Sequence, residues 1–306
     1  MKLKGANVLV TGGAGFIGSW IAETLADKNN VRILDALITG KKQNIPEGVE
    51  FIKGDVRNAG DVRAAVKGVD IVFHQAANVQ IPLSIEDPVF DSDVNVRGTL
   101  NVMEACRKSG VKRVVYASSS ALYGNPEKIP TPETCYPDPL SPYGTSKMAG
   151  EYYTKVYSSL YGLETVSLRY FNVYGPRQNP DSPYSGVLSI FSKNIKEKRS
   201  LTVFGDGRQR RDFVNVRDVV EANILAATAD GVSGEAFNIG TGIAVSINEI
   251  ISMLGKIAGK NLDVMYSERR QGDARKSCAD TRKAREELGF SPKIGLEEGL
   301  RELLQS

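Results

Sequence analysis

The chain has 306 residues, with 39 basic and 36 acidic side chains for a formal net charge of +3, and no long run of one sign. It therefore offers neither a nucleic-acid-binding stripe nor a polybasic membrane anchor. Three scattered cysteines (Cys106, Cys135, Cys278) and one histidine (His74) cannot assemble a disulfide framework or a zinc site of the usual kind, and no stretch of about 18 apolar residues is present to cross a membrane.

The opening M-K-L-K-G-A-N-V-L-V-T-G-G carries too short an apolar run for a secretory signal. A reducing, cytoplasmic setting with no metal, nucleic-acid or membrane partner is expected. The length suits one large domain with a smaller appended lobe. Asn7 to Val10 reads as a buried strand, followed by T-G-G-A-G-F-I-G and an apolar-periodic helix through Trp20, Ile21 and Leu25. Gly12 permits a tight turn, Gly15 lets backbone approach a pyrophosphate, and Gly18 lets helix and strand pack closely. The helix amino terminus offers N–H groups and a positive dipole end to the anion. The next strand, V-R-I-L-D, ends in Asp35, about 20 residues past the glycines, where a carboxylate accepts both ribose hydroxyls of an adenosine and repels a 2′-phosphate. NAD is thus favoured over NADP, against the nearby Lys41 and Lys42.

The β-α alternation continues through V-E-F-I-K-G-D-V, a helix at Val62 to Val66, V-D-I-V-F-H-Q-A-A, a long helix from about Val89 to Lys108, and V-K-R-V-V-Y-A-S-S-S. Continuous apolar strands between helices mean a parallel sheet covered on both faces, so this is an α/β chain with a Rossmann-type doubly wound sheet. Ligands sit beyond the carboxyl ends of such strands, which puts Asp55, Ala76, Ala77, Ser118 to Ser120 and Tyr170 to Tyr174 at the chemistry. His74 closes an apolar strand and reads as a satisfied structural histidine.

In S-P-Y-G-T-S-K-M-A-G-E, Tyr143 and Lys147 lie four residues apart, just over one turn of the helix expected there, and share a face. A tyrosine with a reference pKa of about 10 is a poor base, but an ammonium within reach favours its phenolate. Alone, the pair reads more readily as a solvated helix face. After the sixth strand, T-V-S-L-R-Y-F, residues Asn172 to Ser185 read as a loop, and a second lobe follows from about Gly175. The chain revisits the sheet with a helix near Val219 to Ala227 and a strand at A-F-N-I-G, which interleaves the lobes. Residues 1–174 plus about 212–242 are expected to form the NAD-binding domain, and about 175–211 plus 243–306 a smaller substrate lobe.

Together, T-G-G-A-G-F-I-G, the serine run, Y-G-T-S-K, R-Y-F-N-V-Y-G-P and R-R-D-F-V-N-V-R-D resemble the extended short-chain dehydrogenase/reductase family, most closely its UDP-sugar 4-epimerases. The resemblance spans essentially the whole chain and implies that Ser119, Tyr143 and Lys147 are the catalytic trio. Ser119 is preferred among the three serines because the family's hydroxyl usually lies four residues before the tyrosine of Tyr123-Gly124. Dehydratase and decarboxylase relatives carry acids in the next two positions, here Ser120 and Ala121, and those chemistries need such groups.

Cofactor contacts are expected from Gly12, Gly15, Phe16, Ile17 and Gly18 at the turn, and from Asp35, Asp55 and Val56. Ala76, Ala77, Asn95, Tyr143, Lys147 and Tyr170 complete that set. For a UDP-sugar, the resemblance implies contacts from Ser119, Ser120, Asn172, Arg211, Arg270 and Asp273, guanidinium forks suiting a diphosphate. Ser277 falls where glucose- and galactose-restricted epimerases carry a bulky tyrosine, so an N-acetyl group should fit; a register off by one would put Lys276 or Cys278 there. The expected reaction is 4-epimerisation of UDP-glucose and UDP-galactose, and of their N-acetylated counterparts, through a transient 4-keto sugar. A UDP-uronate epimerase, another nucleotide-sugar oxidoreductase and a non-catalytic dinucleotide sensor are the alternatives. The helices at Val89 to Lys108 and Tyr143 to Tyr161 are the family's usual dimer pair, so a homodimer is expected.

Overall fold

Val8 and Val10 pack into one hydrophobic core and Leu9, between them, into another, all three fully buried. That alternation follows from the two-residue period of a strand, and two apolar faces require cover on both sides. The computed structural model describes residues 3–180, 186–269 and 275–305. In chain order its elements begin β1 (Asn7–Thr11), α1 (Phe16–Ala26), β2 (Asn30–Asp35), β3 (Glu50–Lys53), α2 (Ala59–Ala65) and β4 (Ile71–His74). There follow α3 (Ile81–Glu86), α4 (Pro88–Ser92), α5 (Gly98–Ser109), β5 (Arg113–Ser119), α6 (Pro142–Tyr161) and β6 (Glu164–Tyr170). The remainder comprises β7 (Asn172–Tyr174), α7 (Val187–Lys196), β8 (Leu201–Phe204), β9 (Arg210–Asn215), α8 (Val216–Thr228), β10 (Glu235–Ile239), β11 (Ala244–Ser246), α9 (Ile247–Ala258), β12 (Val264–Ser267) and α10 (Leu296–Gln305).

Seven strands form one parallel sheet in the order β10-β6-β5-β4-β1-β2-β3. The chain steps outward from β1 to β2 and β3, then returns to β4 on the other side, and this reversal opens a crevice beyond the carboxyl ends of β1 and β4. Helices α1 and α8 cover one face with Ile21, Val219 and Ala226; α2 and α5 cover the other with Val62, Val102 and Met103. The architecture is the expected Rossmann-type α/β fold.

A separate core joins Tyr174, Phe191, Val203, Phe213, Leu254 and Leu300. It sits with two small sheets, β11-β9-β7 and β12-β8. Two local readings change. The helix expected over 89–108 is interrupted by a π-helical turn at Asp93–Arg97 between α4 and α5, a widening that turns Asn95 inward to near-complete burial. Asn172 to Tyr174, expected as loop, pairs in parallel with Phe213 to Asn215, because β9 supplies a partner that local composition does not reveal. Strand β9 spans residues 210–215 and straddles the expected lobe boundary at 211–212.

Candidate active site

The turn between β1 and α1 is dictated by contact as much as by torsion. Gly12 has φ +69°, and a Cβ there would lie 2.7 Å from the Ala76 amide nitrogen, while one on Gly18 would collide with the Gly12 carbonyl. The first turn of α1 lacks a side-chain cap, which leaves its amide end to face the crevice. Asp35 closes β2 with one carboxylate oxygen accepting from the Ala14 amide (3.0 Å) and the other from Leu37 (2.8 Å), so it fixes the turn while remaining at the cleft.

A cleft of about 430 Å³ runs from Asp35, Asp55 and Val56 past Gly12, Gly15, Phe16, Ile17 and Gly18, then past Ala76 and Ala77 to Ser119, Tyr143, Lys147 and Tyr170. A long cleft with an acid at one end, uncapped amides midway and hydroxyl and ammonium groups at the other fits a dinucleotide. Asn95 stands outside this lining. Its amide donates to the Asn78 carbonyl (3.0 Å), Asp91 (3.1 Å) and Ser146 (3.0 Å), and its oxygen accepts from the Asn78 amide (2.9 Å). Asp55 lines the cleft with both oxygens held by the Arg57 guanidinium, which keeps its carboxyl below the usual range.

Ser141 caps α6 by accepting from the Gly144 amide, and Pro142 begins the helix. A Cβ on Gly150 would strike the Tyr116 hydroxyl, so this helix lies unusually close to β5. The approach buries Lys147, whose Nζ donates to the Ala117 carbonyl (2.8 Å) and lies 5.2 Å from the centre of the Tyr116 ring. Burial lowers Lys147 to about 8, with the Asp91 charge opposing. Tyr143 departs from expectation. Burial dominates and pushes its hydroxyl upward, and the group that pulls it back is the Ser119 hydroxyl rather than Lys147.

The three serines of β5 and its exit face different ways. Ser118 donates to Glu151 (2.7 Å), which is itself gripped by Arg169 at 2.6 to 3.2 Å behind the cleft. Ser119 borders both the long cleft and a second cavity of about 180 Å³, whereas Ser120 borders only the second. His74 is buried between the Thr11 (2.7 Å) and Thr99 (3.0 Å) hydroxyls and is held neutral by burial, at about 3.

Tyr143, Tyr170 and Phe171 join Ser119 in bordering both cavities, and Asn172, Arg211, Lys276 and Ser277 are among the other residues lining the second. Cys278 is buried behind that wall. The wall segment is anchored at several points: the Ser277 amide donates to the Arg210 carbonyl (3.1 Å), Thr131 donates to the Cys278 carbonyl (2.8 Å), and Ala279 donates to Asp212 (3.0 Å). Asp212 also accepts from the Thr241 amide and hydroxyl and from the Gly242 amide, a clamp that the sequence reading missed. An acid following an arginine in R-R-D-F was its only signal. Arg270 and Asp273 lie outside the described residues.

Known proteins resemble this chain over nearly its full length. A model of the NAD dependent epimerase/dehydratase family matches residues 8–240. A putative UDP-glucose 4-epimerase of Methanocaldococcus jannaschii is 44% identical over 300 residues, covering 97% of each chain. The solved UDP-glucose 4-epimerase of Thermotoga maritima with UDP-glucose superimposes with a TM-score of 0.95 at 39% identity, covering 98% of this chain and 97% of that one. The UDP-N-acetylglucosamine 4-epimerase of Methanobrevibacter ruminantium, in complex with UDP-N-acetylmuramic acid, gives 0.94 at 38% identity, covering 99% and 98%.

Proposed function

Because the chain belongs to the NAD dependent epimerase/dehydratase family, we propose that it is an NAD-dependent UDP-sugar 4-epimerase acting on UDP-glucose and UDP-galactose and on their N-acetylated counterparts. The observation that carries this reading is the convergence of Ser119 and Tyr143, with Lys147 one turn on, where the dinucleotide cleft meets the second cavity. The segments around 175–211 and 243–306 would hold the nucleotide sugar over the carboxyl ends of the strands. Arg211, with Arg270, provides guanidinium for the diphosphate.

Tyr143 takes the proton of the sugar's 4-hydroxyl, Ser119 hydrogen-bonds the reacting oxygen, and Lys147 supplies a positive charge one helical turn away. Bound NAD would accept the hydride from carbon 4 and return it. A 4-keto sugar results. Anchored through its diphosphate, it turns its other face to the cofactor, and Tyr143 gives its proton back to the carbon-4 oxygen as the new hydroxyl forms. Positioned proton transfer of this kind contributes roughly 10² to 10⁴ in rate. Purified protein given a panel of UDP-sugars should convert each pair at carbon 4 without stoichiometric NADH; steady NADH formation would make it a dehydrogenase.

A second reading, a UDP-uronate epimerase, is favoured by Lys276 beside Ser277 in the sugar-side wall, since an ammonium suits a carboxylate. UDP-glucuronate in the same panel decides it. A homodimer through α5 and α6 is supported by Tyr152, Leu160 and Tyr161, large apolar side chains left exposed on α6. Light scattering at micromolar concentration should give twice the chain mass; a monomer would dispose of the dimer. The three cysteines are free thiols, in keeping with a cytoplasmic setting, and no helix among the described residues is long and apolar enough to cross a membrane.

A further inference from the structure

Asp91, at the end of α4, is fully buried. One of its oxygens accepts from the Asn78 (2.8 Å) and Asn95 (3.1 Å) side-chain amides, and the other from the Ser146 hydroxyl (2.6 Å). All three donors are neutral. Among the described residues no lysine or arginine forms an ion pair with it. Burying a carboxylate without a bonded cation costs several kcal/mol, and neutral donors offset only part of that. The π-helical turn after α4 carries Asn95 into this cluster, and Ser146 directly precedes Lys147 in α6 while also lying 3.0 Å from the Tyr143 carbonyl. The acid is thus fixed against the turn of helix that separates Tyr143 from Lys147.

We propose that Asp91 is a positioning residue of the reaction, a buried charge that sets the pH range in which Tyr143 and Lys147 work; this rests on the proton-shuttle reading of that pair.

The other ionisable groups packed around α6 are already neutral or matched. From β4, His74 is neutral. From β5, Tyr116 is pushed up by burial, and from β6, Arg169 is paired with Glu151 of α6 itself. Tyr170, also on β6, bonds Asn223 and is raised by burial. The turn after β5 presents Tyr123, held by Arg169. Asp93 and Arg97 of the π turn pair with each other at 3.1 Å, Glu104 of α5 pairs with Arg107 and Lys108, and α3 presents the Ser84 hydroxyl to the Tyr143 amide. Asp91 is left as the buried charge with influence on both members of the pair. It opposes the fall of Lys147 and adds to the rise of Tyr143.

The sign follows directly. With Tyr143 phenolate and Lys147 ammonium as the working form and Tyr143 titrating above Lys147, the two limbs of turnover belong to the coupled pair rather than to either residue alone. Neutralising Asp91 lowers both ionisations, so both limbs move to lower pH together. A shift of about one pH unit is expected for a unit charge acting over several ångströms at an effective dielectric constant of about 20. Asp91→Asn, with Asp91→Ser as a smaller neutral variant and Asp91→Glu as the charge-keeping control, should be profiled for kcat against pH beside wild type and Tyr143→Phe. The proposal expects both limbs displaced downward in a neutral variant and the wild-type range kept in Asp91→Glu. A neutral variant with unmoved limbs, whatever its kcat, would overturn it, as would failure of both neutral variants to fold, which would assign Asp91 to the fold alone. Retained turnover in Tyr143→Phe would instead remove the proton-shuttle reading beneath it.

Discussion

Tyr143 carries a hydroxyl whose surroundings oppose its ionisation, since burial raises it and only the Ser119 bond relieves it. Tyr143→Phe should therefore reduce turnover by about 10² or more, the usual size of a lost acid-base group, while NAD affinity measured by titration stays near wild type. More than a tenth of normal turnover in that variant would take Tyr143 out of proton transfer. Lys147→Ala should cost turnover as well, because its ammonium is held by the Ala117 carbonyl at the floor of the cleft. On the sugar side, Ser277 and Lys276 both reach the second cavity, so Ser277→Tyr should clash with a 2-acetamido group. Overpacking costs about 1 to 3 kcal/mol, enough to lower activity on the N-acetylated pair several-fold and spare the unsubstituted pair. Equal loss on both pairs would mean that Ser277 does not gate the pocket.

Among the elements, α6 matters most, because its distance from β5 sets where Tyr143 and Lys147 stand. Gly150→Ala adds a methyl where the Tyr116 hydroxyl lies. Alanine is favoured over glycine in a helix by about 1 kcal/mol, but overpacking at a buried contact outweighs that, so denaturant unfolding should show a net loss of stability and Tyr116→Phe should recover part of it. A more stable Gly150→Ala protein would mean that the helix does not press on the strand. Much at this scale is legible in the residues: apolar runs of four to seven give the strands, the glycine turn followed by Asp35 marks the crevice, and four-residue spacing puts Tyr143 and Lys147 on one side of α6. Other features depend on partners distant in the chain. The π turn is hidden because 89–108 keeps a helical pattern across it, β7 is three residues long and exists because β9 pairs with it, and Asp212 acts through segments 29 and 67 residues away. Tyr143 likewise shifts upward because tertiary packing, absent from any local pattern, takes its hydroxyl away from water.

Across the whole molecule, the buried His74 ties stability to pH. Its folded value of about 3 lies below the ordinary 6.5, so the unfolded chain binds the extra proton first, and stability contributed by the neutral ring is complete above about pH 6.5 and is lost as pH falls from there toward 3. Each unit of that fall costs roughly 1.4 kcal/mol, so resistance to urea should weaken from pH 7 to pH 5, and a His74→Asn variant should show a flatter dependence over the same range. An equal slope in the variant would place the pH sensitivity elsewhere. Two cavities meet at Ser119 and Tyr143, the junction that the proposed return of a hydride to carbon 4 would use. The most direct measurement is conversion of UDP-glucose carrying deuterium at carbon 4 by the purified protein with NAD. The expected product is UDP-galactose that keeps its deuterium at carbon 4, with no accumulation of NADH. Release of a 4-keto sugar with matching NADH, or loss of the label to solvent, would contradict an epimerase that returns the same hydride.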